Sequence, residues 1–540
     1  MHLTLPLAAR YCRVHRLLAM FSLPSLPTFL RLCILSAPWR SGSQPAASPR
    51  TKCRPVAQCA LLLASWCAGF AAHSQTPVNL PSGAGAFATF PPLALPTEID
   101  AALTRAKLPR DAVVMLVVDA QGRAAPRVSH RATVPVNPAS VMKLVTTYAG
   151  LDLLGPAFTW GTPVSMDGTL QDGTLRGNLY IKGQGDPKLV MERLWLLMRR
   201  VQGQGIKVIV GDIVLDRSAF DGVDQNPNDF DGEPQKPYNA SADALLLNFK
   251  AVTITLVPDR AAGSAQVMFD PPLAGVQVPD RVPLAANPNA DCGDYRAALK
   301  ADFSDPSRIV FNGVYPAGCG ERAWPVAYAD PASYAARAVE GMWRELGGKL
   351  TGRVRDGKVP TGVKPAFSAV SPALAEVIRD INKYSNNVMA QQLFLTLSLQ
   401  DRGVGTPQGS REVLRQWWIN RFGEADLPVA DNGSGLSRDN RISAQALGRL
   451  LQAAWASPVM PELMSSLPIT GVDGTLRNRK TRWAGASHLK TGSLRDVAGV
   501  AGYVHAASGK RYVLVVIANH PNAGAVRPVV DALIDWTSRD

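Results

Sequence analysis

The spacing of apolar and polar residues predicts a mixed α and β fold, with its strongest signals near the two ends of the chain. The unbroken apolar run at 112–119 predicts a buried strand, and the turn after it predicts a partner strand ending near His130. Towards the other end, two apolar runs separated by a Ser-Gly turn predict strands at 497–505 and 511–519. Apolar residues at helical spacing predict helices at 99–106, 372–399, 411–422 and 527–536.

Between these ends the pattern changes to short β-like runs separated by loops rich in Pro, Asn, Asp and Gly. The runs lie at 178–182, 207–215 and 252–256, with helical stretches at 189–202 and 331–346. This texture predicts that 161–365 form an inserted region of one or two mixed α/β domains. The flanking segments 97–160 and 366–540 are then expected to form one domain together.

The first 74 residues have the pattern of an export signal. They hold eight Lys or Arg and no Asp or Glu, and three of these basic residues directly precede an apolar run at 59–72. That run is too short to span a bilayer comfortably, and a suitable cleavage site follows it, before Gln75. We therefore expect a leader at 1–74, a Pro- and Gly-rich tether at 75–96 and a mature protein in the periplasm.

The distribution of charge argues against one class of partner. The chain carries a net charge of +14 at pH 7, but the leader alone contributes +8, which leaves +6 for the rest. The rest of the chain has no dense run of Lys and Arg with interleaved aromatic residues. Nucleic-acid binding is therefore not predicted.

The positions of the cysteines and histidines argue against a metal site. Five of the seven cysteines lie in the leader, and only Cys292 and Cys319 remain. In an exported chain this pair predicts one disulfide, with two buried thiols as the alternative. The four histidines after the leader have no metal-binding spacing, so we predict neither a metal nor another cofactor.

The stretch 137–144 carries the first candidate chemistry. Asn137 is a good helix N-cap and Pro138 suits the first helical position, so we expect Ser140 in the first turn of a helix. Lys143 then lies on the same face of that helix. A serine hydroxyl needs a base within hydrogen-bond reach, and a buried lysine can serve because desolvation disfavours its ammonium form. Taken alone, this spacing also fits an ordinary capped helix facing a core with Leu144.

Two later motifs make a catalytic interpretation of Ser140 and Lys143 much stronger. Ser-Asn-Asn at 385–387 lies in the helical stretch at 372–399, and Lys-Thr-Gly at 490–492 precedes the strand at 497–505. In this order the three motifs resemble the triplet of the penicillin-recognising serine enzymes, which are the penicillin-binding proteins and the serine β-lactamases.

The resemblance implies a role for each residue. Ser140 would attack a carbonyl carbon and become acylated, Lys143 would accept its proton, and Ser385 would relay a proton to the leaving amine. Lys490 would supply a fixed positive charge, and the backbone N–H groups of Ser140 and Ser493 would form the oxyanion hole. The expected substrate-binding residues are Asn387, Lys490, Thr491, Gly492 and Ser493.

The spacing of the motifs narrows the resemblance further. Ser140 and Ser385 are 245 residues apart, far more than a compact β-lactamase needs. Together with stretches at 177–187, 431–438 and 471–475, this resembles the D-alanyl-D-alanine carboxypeptidase/endopeptidases of the penicillin-binding protein 4 type, peptidase family S13. The resemblance covers about 95–540 and implies an α+β fold, in which a β-lactamase/transpeptidase-like domain of antiparallel sheet and helices is interrupted by the inserted domains.

The implied reaction is hydrolysis of D-Ala-D-Ala peptides, or of D-Ala–diaminopimelate cross-links, in peptidoglycan, with β-lactam antibiotics as covalent inhibitors. Two alternatives stay open: a serine β-lactamase, which would deacylate rapidly, and a non-catalytic peptidoglycan-binding protein that kept the fold. The sequence does not decide the balance of the two peptidase activities, peripheral attachment to the membrane or the oligomeric state.

Overall fold

Helices and strands fill the part of the chain that the computed structural model describes, residues 93–223, 225–287 and 291–540. The leader at 1–74 and most of the tether lie outside these residues. The strands are β1 Val113–Asp119, β2 Val128–His130, β3 Gly161–Met166, β4 Thr169–Gln171, β5 Thr174–Arg176, β6 Leu179–Lys182, β7 Val208–Val210, β8 Ile213–Asp216, β9 Ala251–Asp259, β10 Ser264–Asp270, β11 Arg281–Pro283, β12 Ala301–Asp305, β13 Arg308–Phe311, β14 Arg322–Ala327, β15 Lys349–Leu350, β16 Val354–Asp356, β17 Pro365–Val370, β18 Ser487–Leu494, β19 Val497–His505 and β20 Arg511–Asn519. The α-helices are α1 Thr97–Arg105, α2 Lys143–Leu154, α3 Met191–Gly203, α4 Tyr295–Leu299, α5 Tyr334–Glu345, α6 Leu374–Lys383, α7 Asn387–Arg402, α8 Pro407–Phe422, α9 Ala444–Ala456, α10 Met460–Ser466 and α11 Arg527–Ser538.

A five-stranded antiparallel sheet joins the two ends of the described chain, in the order β18-β19-β20-β1-β2. Successive residues of β1 alternate between two hydrophobic clusters: Leu116 faces the cluster that includes α2, α7 and α9, and Val117 faces the cluster that includes α1 and α11. Because both faces are covered, the strand is apolar at every position from Val113 to Val118. The sheet is thus sandwiched between helices, and β18 lies at its edge.

The helix that begins at Lys143 buries the apolar residues expected to face the core. Leu144, Tyr148 and Leu151 are at most 1% exposed. The single helix predicted at 372–399 is wrong, because the chain breaks after Lys383 and restarts at Asn387 as α7. The helices α9 and α10 were absent from the sequence-based prediction.

The residues between α2 and α6 form further sheets around a hydrophobic cluster of their own. They include mixed sheets in which parallel pairs such as β6–β8 lie beside antiparallel pairs such as β3–β6. The single strand predicted at 207–215 is wrong, because β7 and β8 belong to different sheets. Gly211 separates them at φ 150°, where a Cβ atom would lie 2.2 Å from the Gly177 carbonyl oxygen.

The α+β class is confirmed: helices flank an antiparallel sheet, and a large region with several further sheets interrupts the sequence between α2 and α6. A membrane-spanning segment is not found, since every described helix is too short or too polar to cross a bilayer.

Candidate active site

Ser140 lies in a short 3₁₀ turn, Ala139–Met142, that leads directly into α2. The expected cap works differently from the prediction, because the Asn137 side chain accepts a hydrogen bond from the Ala139 N–H at 2.8 Å before the helix begins. Its amide group donates to the carbonyl oxygens of Ser437 and Arg438. Ala139 has φ 48°, a strained value for alanine that the surrounding contacts must maintain.

Lys143 is completely buried and has three polar neighbours. Its Nζ atom lies 2.9 Å from Ser140 Oγ, 2.7 Å from Asn387 Oδ1 and 2.5 Å from the Ser434 carbonyl oxygen. Burial lowers the pKa of Lys143 well below its ordinary value, and the neighbouring charge of Lys490 lowers it further. This shift favours the uncharged amine.

These neighbours match the hydrogen inventory of an uncharged amine. Such an amine has two N–H groups and one lone pair, and Asn387 Oδ1 and the Ser434 carbonyl oxygen can only accept hydrogen bonds from it. In the uncharged form both N–H groups are thereby used, and the lone pair is left for the remaining neighbour, the Ser140 hydroxyl. That hydroxyl can then donate its proton to Lys143, which is the geometry a nucleophile and its base require.

Ser385 lies in the break between α6 and α7. Its φ of 56° is in the left-handed region, and the next residue, Asn386, caps α7 by accepting a hydrogen bond from the Met389 N–H at 3.0 Å. This conformation ends the helix predicted through the motif. It also places Ser385 Oγ 2.8 Å from Lys490 Nζ, which forms a second hydroxyl–lysine pair. We call the site formed by the two pairs, Ser140 with Lys143 and Ser385 with Lys490, the cleft.

Lys490 is also completely buried, and its Nζ atom donates to Ser385 Oγ and, at 2.7 Å, to the Thr491 carbonyl oxygen. Burial lowers the pKa of Lys490 to about 7. A fixed positive charge on Lys490 stays a prediction, and burial works against it in the unliganded site. A pKa of about 7 would let Lys490 exchange a proton near neutral pH.

The Lys-Thr-Gly motif lies on β18, at the open edge of the sheet. The Leu489 N–H donates away from the sheet to Pro468, so strand alternation directs the N–H groups of Thr491 and Ser493 to the same edge. Gly492 packs directly against the turn that carries Ser140, where a Cβ atom would lie 2.5 Å from the Pro138 carbonyl oxygen. Any larger residue would push the strand away from Ser140.

Two backbone carbonyl groups complete the site, and neither was expected from the sequence. The carbonyl oxygen of Ser434, in the loop 431–438, contacts Lys143 as described above. The carbonyl oxygen of Tyr238, in the inserted region, accepts a hydrogen bond from Asn387 Nδ2 at 3.2 Å. Every residue type has a carbonyl group, so no residue pattern could have predicted these contacts.

The inserted region is anchored beside this contact by a buried glutamine. Gln392 on α7 accepts a hydrogen bond from the Asp243 N–H at 2.9 Å and donates one to the Asp243 carbonyl oxygen at 2.8 Å. Asn387 and Gln392 lie on the same helix, α7. The inserted segment from Tyr238 to Asp243, which contacts both residues, therefore runs alongside this helix.

The other predicted site residues lie apart from the cleft. Cys292 and Cys319 are joined by a disulfide within the inserted region, with sulfur atoms 2.09 Å apart. No group of three or more His, Cys, Asp or Glu residues in the described chain is arranged to hold a metal ion.

Comparison with known proteins gives a consistent result. A model of the D-Ala-D-Ala carboxypeptidase 3 (S13) family matches residues 95–540. The D-alanyl-D-alanine carboxypeptidase DacB of Haemophilus influenzae is 27% identical over 395 residues, which cover 72% of this chain and 81% of that protein. The D-alanyl-D-alanine carboxypeptidase of Actinomadura sp. is 29% identical over 413 residues, which cover 71% and 73%. The crystal structure of penicillin binding protein 4 from H. influenzae has a similar fold, with a TM-score of 0.64 and 24% identity over 82% of this chain and 99% of that one.

Proposed function

Since this chain belongs to the D-Ala-D-Ala carboxypeptidase 3 (S13) family, and is thus a serine-type carboxypeptidase, we propose that it works through an acyl-enzyme on Ser140. We further propose that it acts in the periplasm as both a carboxypeptidase on D-Ala-D-Ala peptides and an endopeptidase on peptidoglycan cross-links. The observation that carries the mechanism is the 2.9 Å contact between Ser140 Oγ and a buried Lys143 whose two N–H groups are already bound.

In the proposed acylation, Ser140 Oγ attacks the carbonyl carbon of the penultimate D-Ala while its proton passes to Lys143 Nζ. The negative charge that develops on the carbonyl oxygen is stabilised by the N–H groups of Ser140 and Ser493, which is typically worth a few kcal/mol per donor (about 3 kcal/mol). When the C–N bond breaks, Ser385 gives its hydroxyl proton to the leaving amine and takes one from Lys490. Water then hydrolyses the ester: the released Ser140 oxygen takes its proton back from Lys143, and the proton that the water loses returns to Lys490 through Ser385.

The edge of β18 is suited to hold the substrate. Its outward N–H groups can bind an extended peptide as an added strand, and the second N–H of Asn387 Nδ2 is available for a peptide carbonyl group. The Thr491 hydroxyl can bind the terminal carboxylate, whose charge would raise the pKa of Lys490 and favour the ammonium form. Binding would thus charge the lysine that the leaving amine needs.

The endopeptidase activity follows from the chemistry of the cross-link. In a D-Ala–diaminopimelate bond the residue after the scissile amide also carries a carboxylate at a D-configured carbon. The same groups can therefore bind it, and β-lactams, which carry a carboxylate beside a strained amide, would acylate Ser140 in the same way. We assign this chemistry to a domain formed by 97–160 and 366–540, with 161–365 as accessory domains.

Intact-protein mass spectrometry with benzylpenicillin, followed by peptide mapping, tests the proposal. We expect a stable adduct on Ser140 that is absent in Ser140→Ala, together with release of D-Ala from peptides and of monomers from cross-linked muropeptides. An adduct that disappears within seconds would indicate a β-lactamase instead. Folded protein that forms no adduct would leave a non-catalytic peptidoglycan-binding protein.

A further inference from the structure

A hydroxyl group that none of the three motifs contains lies directly beside the Lys-Thr-Gly strand. Thr475 Oγ1 is 2.8 Å from Thr491 Oγ1, and either hydroxyl can donate the hydrogen bond. Thr475 is exposed at the open edge of β18, on the side where a peptide would bind. Its hydroxyl proton can therefore affect how Thr491 presents its own proton to a ligand.

The loop 469–476, which carries Thr475, is held in place by contacts to two elements, α6 and β18. On the α6 side, Lys383 Nζ donates to Asp473 at 2.6 Å, and the same carboxylate accepts a hydrogen bond from the Ile469 N–H. Gly474, at φ 56°, packs so closely that a Cβ atom would lie 2.6 Å from the Lys383 carbonyl oxygen. The side chain of Lys383 is 5% exposed and that of Asp473 is 32% exposed, so the ion pair is shielded from water on the lysine side.

On the sheet side, the loop continues the edge of β18. Ile469 forms a β-bridge with His488, and Thr470 Oγ1 lies 2.6 Å from Ser487 Oγ. The hydroxyl of Thr475 is therefore held in place by contacts to two different elements, one of which ends two residues before Ser385. A hydroxyl that only solvated the surface would need no such support.

We propose that Thr475 is a positioning residue for recognition of the substrate carboxylate, an inference that rests on the proposed function. Thr475 donates its proton to the oxygen of Thr491, which leaves the Thr491 proton free for the carboxylate of a D-Ala terminus or a β-lactam. Hydrogen bonds in such a chain polarise and strengthen one another. Without Thr475, the Thr491 hydroxyl can rotate and lose that direction.

The test compares acylation by benzylpenicillin with acylation by its methyl ester, which lacks the carboxylate. In Thr475→Val we expect the second-order rate constant for benzylpenicillin to fall about tenfold, in line with the loss of one hydrogen bond in a charge-assisted chain. The rate constant for the methyl ester should change less than twofold. Thr475→Ser keeps the hydroxyl and should restore most of the rate with benzylpenicillin.

Thr470→Val is the matched control, because it removes a hydroxyl contact between the same loop and the same strand, away from the carboxylate position. It should leave the ratio of the two rate constants unchanged. Equal losses with both reagents in Thr475→Val, an unchanged benzylpenicillin rate, or failure of serine to restore it would each overturn the inference. A wild-type protein that neither reagent acylates would instead refute the proposed function, and this inference with it.

Discussion

Two regions of the molecule bury lysine side chains, and they compensate the cost in different ways. In the cleft, Lys143 and Lys490 are completely buried, and no carboxylate of the described residues forms an ion pair with either. The second region, which we call the seam, is formed by Arg217, Asp243, Lys250 and Gln392, where the inserted region meets α7. There, Lys250 Nζ lies 3.1 Å from the Asp243 carboxylate. Arg217 binds the same carboxylate at 3.0 Å.

The difference separates a lysine that holds a structure together from one that can act as a base. A buried ammonium group is costly unless an opposite charge compensates it, and otherwise it loses its proton. The seam supplies Asp243, which can compensate the charge of Lys250. The cleft supplies only neutral acceptors and hydroxyls to Lys143 and Lys490, so their pKa values are low. In the proposed mechanism, the absence of an acid is therefore as important as the presence of the two lysines.

The largest effect is expected when the cleft loses its base. Lys143→Met keeps the length and buries no charge, but it leaves the Ser140 hydroxyl without a proton acceptor. We expect the rate constant for acylation by benzylpenicillin to fall by about 10³-fold, within the usual range for loss of a general base. Stopped-flow or quenched-flow mass spectrometry measures it.

The control for that measurement is Lys510→Met, which removes an exposed lysine paired with Asp540 on the opposite part of the sheet. Its acylation rate should equal that of the wild type. A fall of less than tenfold in Lys143→Met, with the fold retained by circular dichroism, would mean that another group accepts the proton from Ser140.

The next largest effect on acylation is expected when a carboxylate is placed beside Lys143, as Asp243 lies beside Lys250 in the seam. Asn387→Asp places a carboxylate where Oδ1 now lies, 2.7 Å from Lys143 Nζ. A negative charge there favours the ammonium form and raises the pKa of Lys143, so the free base appears only at higher pH. We expect acylation at pH 7 to fall about 10²-fold and the rising limb of its pH profile to move to higher pH.

Asn387→Ala separates the charge from the lost substrate contact. It removes the amide but adds no carboxylate, so its rate should fall without an upward shift of the pH profile. If the aspartate and alanine variants have the same pH profile, the charge state of Lys143 does not control acylation.

Removing the acid from the seam should affect stability more than catalysis. Asp243→Asn leaves the buried Lys250 without its carboxylate and leaves Arg217 with only its exposed partner Asp356, and we expect the free energy of unfolding to fall by about 2 kcal/mol. The two hydrogen bonds to Gln392 use backbone atoms of residue 243 and survive the change. Asn387 should therefore stay in place, with the acylation rate within about threefold of the wild type.

The test measures the thermal midpoint of unfolding and the acylation rate on the same samples of Asp243→Asn. It shows whether the substitution lowers stability, as expected, or the rate of acylation. A large loss of rate with an unchanged midpoint would show that the seam serves the chemistry rather than the fold. Gln392→Leu provides the contrast, because it breaks the backbone contacts that hold the inserted segment beside α7.

Much of this arrangement could be predicted because it depends on residue type. The ends of β19 and β20 were predicted correctly from unbroken apolar runs and a turn, and the pairing of Ser140 with Lys143 followed from helical spacing. The confirmed α+β class followed from the resemblance to the family. These features depend on residues close together in the sequence, or on motifs that can be recognised in it.

What could not be predicted depends on tertiary contacts. The helical pattern at 372–399 runs through Ser385, but the chain breaks there, and the left-handed conformation of Ser385 brings its hydroxyl to Lys490, 105 residues away. The carbonyl oxygens of Ser434 and Tyr238 reach the cleft through backbone atoms. The low pKa of Lys490 depends on burial by elements from distant parts of the chain.

The smallest expected effect is on stability: burial of Lys490 without an opposite charge should make the free energy of unfolding depend on pH. The pKa of Lys490 is about 7 in the folded protein and about 10.5 as an ordinary side chain. Between these values the unfolded chain holds a proton that the folded protein lacks, so a rise in pH favours the folded state. From pH 7 to pH 8 this should add about 1 kcal/mol to the free energy of unfolding of the wild type, relative to Lys490→Met. Urea unfolding at both pH values measures the difference, and Lys143 should contribute with the same sign in both proteins. If the wild type and Lys490→Met respond equally to pH, Lys490 keeps its proton in the folded state, and the contrast between cleft and seam fails at this residue.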